Sequence, residues 1–248
     1  GAVTHDDWDY YGIGPGVGIQ LERGPHAGRL LIPAIHWTHF WEGEVPADNV
    51  RYDHVFYSDD GGESWELDGT VGPHLDEPQA VERPDGSVLM NMRNYWGTNK
   101  HPEAAGTRAI ATSRDGGHTW SAVDFDETLL IPTCQASLVR YSWPEEGRSR
   151  LLFSNPASVD SRTDLTIRLS YDDGRSWPHA ARLHDGPATY SCLTRLSDGG
   201  IGCLYEGGDF VRRSLFQSVR PRLVDRRERY GLTQGRPAKG IYRTIIIC

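Results

Sequence analysis

The chain has 248 residues and a mass of 27.7 kDa, enough for one sizeable core or two small ones. Its 38% hydrophobic and 24% charged residues contain no apolar run near the roughly 18 residues of a spanning helix, which excludes that kind of membrane anchor. Ten of the 26 Lys and Arg but only two of the 34 Asp and Glu fall in residues 210–248; residues 1–209 therefore carry a net −16 of the total −8, which argues against nucleic acid as the main partner.

In chain order, Arg29-Leu30-Leu31-Ile32-Pro33 reads as a buried strand, followed by the strand-like run Asp53-His54-Val55-Phe56-Tyr57. That run leads into Ser58-Asp59-Asp60-Gly61-Gly62-Glu63-Ser64-Trp65. Ala80-Val81-Glu82 and Val88-Leu89-Met90-Asn91-Met92 flank Pro84-Asp85-Gly86, which predicts a hairpin. Arg108-Ala109-Ile110-Ala111-Thr112 precedes Ser113-Arg114-Asp115-Gly116-Gly117-His118-Thr119-Trp120. Leu151-Leu152-Phe153-Ser154 is another buried strand. Leu165-Thr166-Ile167-Arg168-Leu169 then runs into Ser170-Tyr171-Asp172-Asp173-Gly174-Arg175-Ser176-Trp177. A last hairpin joins Cys192–Leu196 to Ile201–Tyr205 through Ser197-Asp198-Gly199-Gly200.

Three segments thus share Ser-x-Asp-x-Gly-x-(Ser/Thr)-Trp, starting at 58, 113 and 170, a period of about 55 residues. The pattern is that of a turn. Asp accepts bonds from nearby backbone N–H groups, Gly supplies a positive φ, and Trp folds back as an apolar plug. A device repeated three times closes hairpins and carries no chemistry. Short strands at this period are the signature of a β-propeller with four strands per blade, of which this chain holds about four.

Cys134, Cys192, Cys203 and Cys248 form no C-x-x-C pair and read as buried free thiols, disulfide pairing being the alternative. The ten histidines show no metal-ligand spacing, so no metal or cofactor is expected.

The eight-residue repeat resembles the Asp-box (BNR repeat) of the sialidase, or neuraminidase, family, and the resemblance spans roughly residues 10–208. Gly14-Pro15-Gly16-Val17-Gly18-Ile19-Gln20 followed by Gly28–Pro33 looks like a central strand region of that family. Asp76-Glu77-Pro78-Gln79, with Asn91-Met92-Arg93-Asn94, is similar to its segment bearing a catalytic glutamate and an arginine. Leu152–Pro156 with Arg162–Thr166 resembles the segment of a second arginine. Gly186-Pro187-Ala188-Thr189-Tyr190-Ser191 resembles that of the nucleophilic tyrosine, and Leu204-Tyr205-Glu206 the strand after it.

The resemblance implies an all-β, six-bladed propeller, here incomplete, that releases terminal α-linked sialic acids from glycans as an exo-α-sialidase. Tyr190 would be the nucleophile and Glu77 its base, and Arg93 and Arg162 would bind the substrate carboxylate. Arginine suits that last role because its planar fork matches a carboxylate and stays charged. A neutral phenol also avoids the repulsion a carboxylate nucleophile would meet, and sialidases are an exception to the two-carboxylate scheme of glycosidases. The implied partner is a sialylated glycan, met by a monomer in a secreted or degradative setting.

Two departures stand out. The family's first arginine and its acid aspartate precede the first Asp-box, yet Gly1–Asp9 carries no Arg-Ile-Pro-like segment, so about two N-terminal blades are expected to be missing. The alternative function is accordingly a glycan- or protein-binding propeller without catalysis, or an inactive fragment. Residues 1–209 form the partial catalytic domain in this reading. Residues 210–248 form an atypical basic tail, out of frame or disordered, with no strand alternation.

Overall fold

Apolar runs of five to seven residues between Asp/Gly turns are too short to fold alone, so their backbone groups must pair with neighbouring runs. In the computed structural model they do so throughout residues 4–42, 45–95, 105–208, 213–219 and 245–246, the residues described below. Among the described residues sixteen strands form antiparallel sheets of five, four and seven strands, the last made of two blades joined through one shared strand, which gives an all-β propeller segment of four blades.

The first blade has β1 (Trp8–Ile13) and β2 (Ile19–Gln20) sharing the innermost position against β3 (Leu30–Glu42), then β4 (Val45–Ser58) and β5 (Glu66–Val71). The second runs β6 (Leu75–Glu82), β7 (Val88–Asn94), β8 (Thr107–Ser113) and β9 (Asp124–Leu130). The third runs β10 (Ser137–Ser142), β11 (Arg150–Pro156), β12 (Thr163–Ser170) and the first part of β13 (His179–Arg195). The rest of β13 leaves that blade after Pro187 and becomes the inner strand of the fourth, beside β14 (Ile201–Gly207), β15 (Arg213–Val219) and β16 (Ile245–Ile246).

Each blade boundary is an apolar core. Leu31, Val55, Met90 and Ala109 lie between the first two blades; Val81, Leu89, Leu138, Phe153 and Trp177 between the second and third. Leu152, Ile167, Leu193, Cys203 and Tyr205 lie between the third and fourth. The three Asp-boxes close hairpins with one geometry. Asp60, Asp115 and Asp172 accept from the backbone N–H of Ser64, Thr119 and Ser176 at 2.8–2.9 Å. Ser58, Ser113 and Ser170 accept from the N–H of Gly62, Gly117 and Gly174. The hydroxyls of Ser64, Thr119 and Ser176 donate to the same carboxyls, and with the backbone bonds they hold all three below the ordinary range against the upward push of burial.

The structure differs from the sequence reading in the basic tail. Arg213–Val219 pairs along the whole of β14, from Gly207↔Arg213 to Ile201↔Val219. Ser214-Leu215-Phe216-Gln217-Ser218-Val219 can satisfy the unpaired edge of β14, and the surrounding arginines hide that short run. Residues 220–244, which hold most of the tail's positive charge, and Cys248 lie outside the described residues. Among the described residues Cys134, Cys192 and Cys203 are free, with Cys192 the least buried of them.

Candidate active site

Glu77 sits at a deliberate irregularity. Asp76 pairs with Arg93 and Gln79 with Asn91, so β6 carries one residue more than β7 across this stretch, a bulge at Glu77-Pro78. Pro78 has no N–H to give the ladder and so fits there. Glu77 takes φ +46°, a left-handed backbone that costs a non-glycine residue about 1–3 kcal/mol. The bulge turns its side chain out of the regular alternation, and its own N–H donates to Asp76 Oδ1 at 2.9 Å.

Tyr190 comes from the fourth-blade part of β13 and its hydroxyl donates to Glu77 Oε1. Arg93, on β7, bridges the two: Nη1 lies 2.8 Å from Glu77 Oε2 and donates to Tyr190 Oη at 3.3 Å. Burial and then the Glu77 bond push the Tyr190 phenol above its ordinary value, so it stays protonated at neutral pH. Burial alone would lower Arg93, but the Glu77 carboxylate outweighs it and holds the guanidinium charged. Three of the four residues singled out in the sequence therefore meet directly.

Arg162 stands apart from that trio. It is exposed just before β12, its Nη2 donating to the Thr133 carbonyl at 3.3 Å. Its own carbonyl accepts from the Ala188 N–H at 2.8 Å, which ties it two residues from Tyr190. Both Arg162 and Arg93 act electrostatically on the buried Cys134 thiol, whose pKa burial pushes up and the two cations pull down. Glu206 accepts from the hydroxyl of Thr189, the neighbour of Tyr190, while Tyr205 is buried in the core between the last two blades.

Several polar residues around this centre went unmarked in the sequence. Arg51 stacks over Tyr95 and Trp37 at 4.4 and 4.7 Å and pairs with Asp76 at 3.3 Å. Burial and the adjacent Glu77 raise Asp76 to about 6. Arg108 is fully buried beneath, bonded to the Asn91 side chain at 2.6 Å and the Cys134 carbonyl at 3.0 Å, and burial lowers it to about 9. Asp53 is fully buried, and Arg108 is the cation that opposes the upward push of burial on its carboxyl. A charge inside an apolar run, as in Arg108-Ala109-Ile110-Ala111, was the available signal. A cavity of about 300 Å³ opens elsewhere, among Val17, Ile19, Glu82, Leu138, Arg140 and Trp143. None of Glu77, Arg93, Arg162 or Tyr190 lines it. Among the described residues no group of three or more His, Cys, Asp or Glu could hold a metal ion.

Residues 3–203 match the BNR repeat-like domain family. The sialidase of Micromonospora viridifaciens is 41% identical over 208 residues, which is 81% of this chain and 29% of that protein. The anhydrosialidase of Macrobdella decora is 33% identical over 223 residues, 82% of this chain and 26% of that one. Among solved structures, the Hadza microbial sialidase Hz136 superposes with a TM-score of 0.75 at 31% identity, covering 90% of this chain and 40% of its own. The chain thus spans well under half the length of these relatives. With three Asp-boxes, four propeller blades and this set of likenesses, the chain belongs to the sialidase family built on the BNR repeat-like domain.

Proposed function

We propose that the chain carries the nucleophile side of an exo-α-sialidase site, which releases terminal α-linked sialic acid with retention. The observation that carries this is the Tyr190–Glu77 hydrogen bond with Arg93 bridging both partners. The phenol is neutral at rest, so the substrate carboxylate does not repel it as it approaches the anomeric carbon. As the C–O bond forms, the phenolic proton passes to Glu77 and the glycan leaves. Water then displaces the tyrosyl oxygen, which takes its proton back from Glu77 while the attacking water releases one to solvent, and the two inversions give net retention. Arg93 holds Glu77 in line and, with the exposed Arg162, offers two cations to the substrate carboxylate.

This reading assigns none of the described residues the role of acid to the leaving group, a role worth about 10²–10⁴-fold in rate. Aryl sialosides, whose leaving groups need no proton, are therefore the substrates of choice. The test is hydrolysis of 4-methylumbelliferyl α-N-acetylneuraminide by the chain and two variants. Tyr190→Phe should abolish turnover while N-acetylneuraminic acid still raises the Tm by binding linkage. Arg162→Ala should raise KM by about tenfold or more, the loss of a charged contact. Kinetics unchanged in both variants would refute the assignment. Ligand stabilisation without turnover in the unmutated chain would favour the binding-module alternative.

A further inference from the structure

Tyr190 and Glu77 belong to the fourth and second blades, so no sheet hydrogen bond sets the distance between them. A path of polar contacts runs beside the pair. Gln79, two residues beyond Glu77, donates from Nε2 to the Pro15 carbonyl at 3.0 Å. Gln135, two residues before the inner strand of the third blade, donates from its own Nε2 to the same carbonyl at 3.0 Å. The second Nε2 hydrogen of Gln135 goes to the Ser191 carbonyl at 3.0 Å, and its Oε1 accepts the Ser191 N–H at 2.9 Å. Gln135 is 1% exposed and uses every donor it has. The path Glu77-Pro78-Gln79, Pro15 carbonyl, Gln135, Ser191-Tyr190 thus takes one member from the inner position of each blade. Pro15 reaches this junction because glycines flank it. A Cβ on Gly14 would sit 2.3 Å from the Pro78 carbonyl oxygen, and one on Gly16, at φ +143°, 2.2 Å from the Gln79 carboxamide.

Resting on the sialidase reading above, we infer that Gln135, acting through the Pro15 carbonyl, is a positioning residue that sets the placement of the Tyr190 hydroxyl on Glu77. It touches neither substrate nor reacting atoms. Its two-point grip on Ser191 fixes the backbone next to the nucleophile, and its shared acceptor fixes that backbone to the strand bearing the base. Misplacement of a reacting group by about 1 Å costs on the order of 10²-fold in rate.

The test compares Gln135→Met, which keeps the volume and removes all three bonds, with Gln135→Glu, which keeps the acceptor for Ser191 and loses both donations. Two readouts are taken on folded protein. The first is the phenolic proton resonance of Tyr190 in the NMR spectrum, identified by its disappearance in Tyr190→Phe. The second is kcat and KM on the umbelliferyl sialoside. The expected result is a shifted or exchange-lost resonance in both variants, with kcat down about 10–100-fold and KM within about threefold. An unmoved resonance, or a change confined to KM, would overturn the inference. Should Gln135→Met fail to fold, Gln135→Glu decides alone. Should the unmutated chain show no turnover, the sialidase reading fails on that arm, while the resonance still decides whether Gln135 places the phenol.

Discussion

Asp53 is a carboxyl that the fold closes over with no hydrogen bond to either oxygen among the described residues. Burial first, and then the neighbouring Asp76 and Glu77, push its pKa well up, opposed by buried Arg108. A raised carboxyl pKa lends stability that is complete below the unfolded value of about 3.9 and fades as pH rises through the folded one. Asp53→Asn should therefore raise stability by about 1–3 kcal/mol at pH 8 and by little at pH 4, read from urea unfolding at both. A loss at both pH values would mean that Arg108 needs that carboxyl. Residues of this kind resist reading from sequence. Glu77, Arg93 and Tyr190 were singled out only because Asp-Glu-Pro-Gln, Asn-Met-Arg-Asn and Gly-Pro-Ala-Thr-Tyr resemble segments of a known family, and the fold brings their three side chains into contact. Asp53, Arg108 and Gln135 acquire meaning only from neighbours on other strands and loops, Asn91 and the Cys134 carbonyl for Arg108, and for Gln135 a carbonyl 120 residues distant.

At the scale of elements, turns were legible and strand sharing was not. Every Asp-box and both Asp-Gly hairpins fall where expected, because their hydrogen bonds close within five residues. The 17-residue β13 serving two blades has no local signal beyond Gly186-Pro187, and β15 was masked by its arginines. The paired strands β3 and β4 carry a further feature. His36 and His54 face each other across them, Nδ1 to Nδ1 at 2.9 Å, under Trp8, which stacks on His36 at 3.9 Å. One shared proton suits that contact and two do not. Burial, followed for His36 by His5 and for His54 by His36, lowers the pair to about 4 and about 3. Lowered histidine values give stability that is full above about 6.5 and is lost as pH falls toward the folded values. Between pH 6.5 and 4 each of the two histidines should account for a loss of about 2–3 kcal/mol of stability, so His54→Phe, packed beside Trp8 and Tyr11, should lose about half as much as the unmutated sheet. Parallel acid-induced melts of the two proteins would reveal a pair that does not matter.

Across the whole molecule, a hairpin turn in each of the second, third and fourth blades leans on the blade made before it. Gly117 of the second blade is packed so that a Cβ there would lie 3.0 and 3.1 Å from Leu31 and Val55 of the first, and Arg29 donates to the Gly116 carbonyl at 3.0 Å. Gly174 of the third blade faces Leu89 of the second in the same way, and Arg83 donates to the Asp173 carbonyl at 2.9 Å. The turn of the fourth blade receives Tyr141 of the third, whose hydroxyl donates to the Gly199 carbonyl at 2.6 Å. The seats all face one way, so the two ends of the chain are not equivalent. A chain of residues 1–186 keeps the second and third turns seated and should melt cooperatively. One of residues 72–248 strips the floor from Gly117 and should melt broadly, and equal transitions in calorimetry would count against this asymmetry. During synthesis the same polarity works in the protein's favour. As the ribosome releases the chain, each new hairpin meets a finished surface to settle on, so this part of the propeller can assemble in the order it is translated, with no blade waiting for one not yet made.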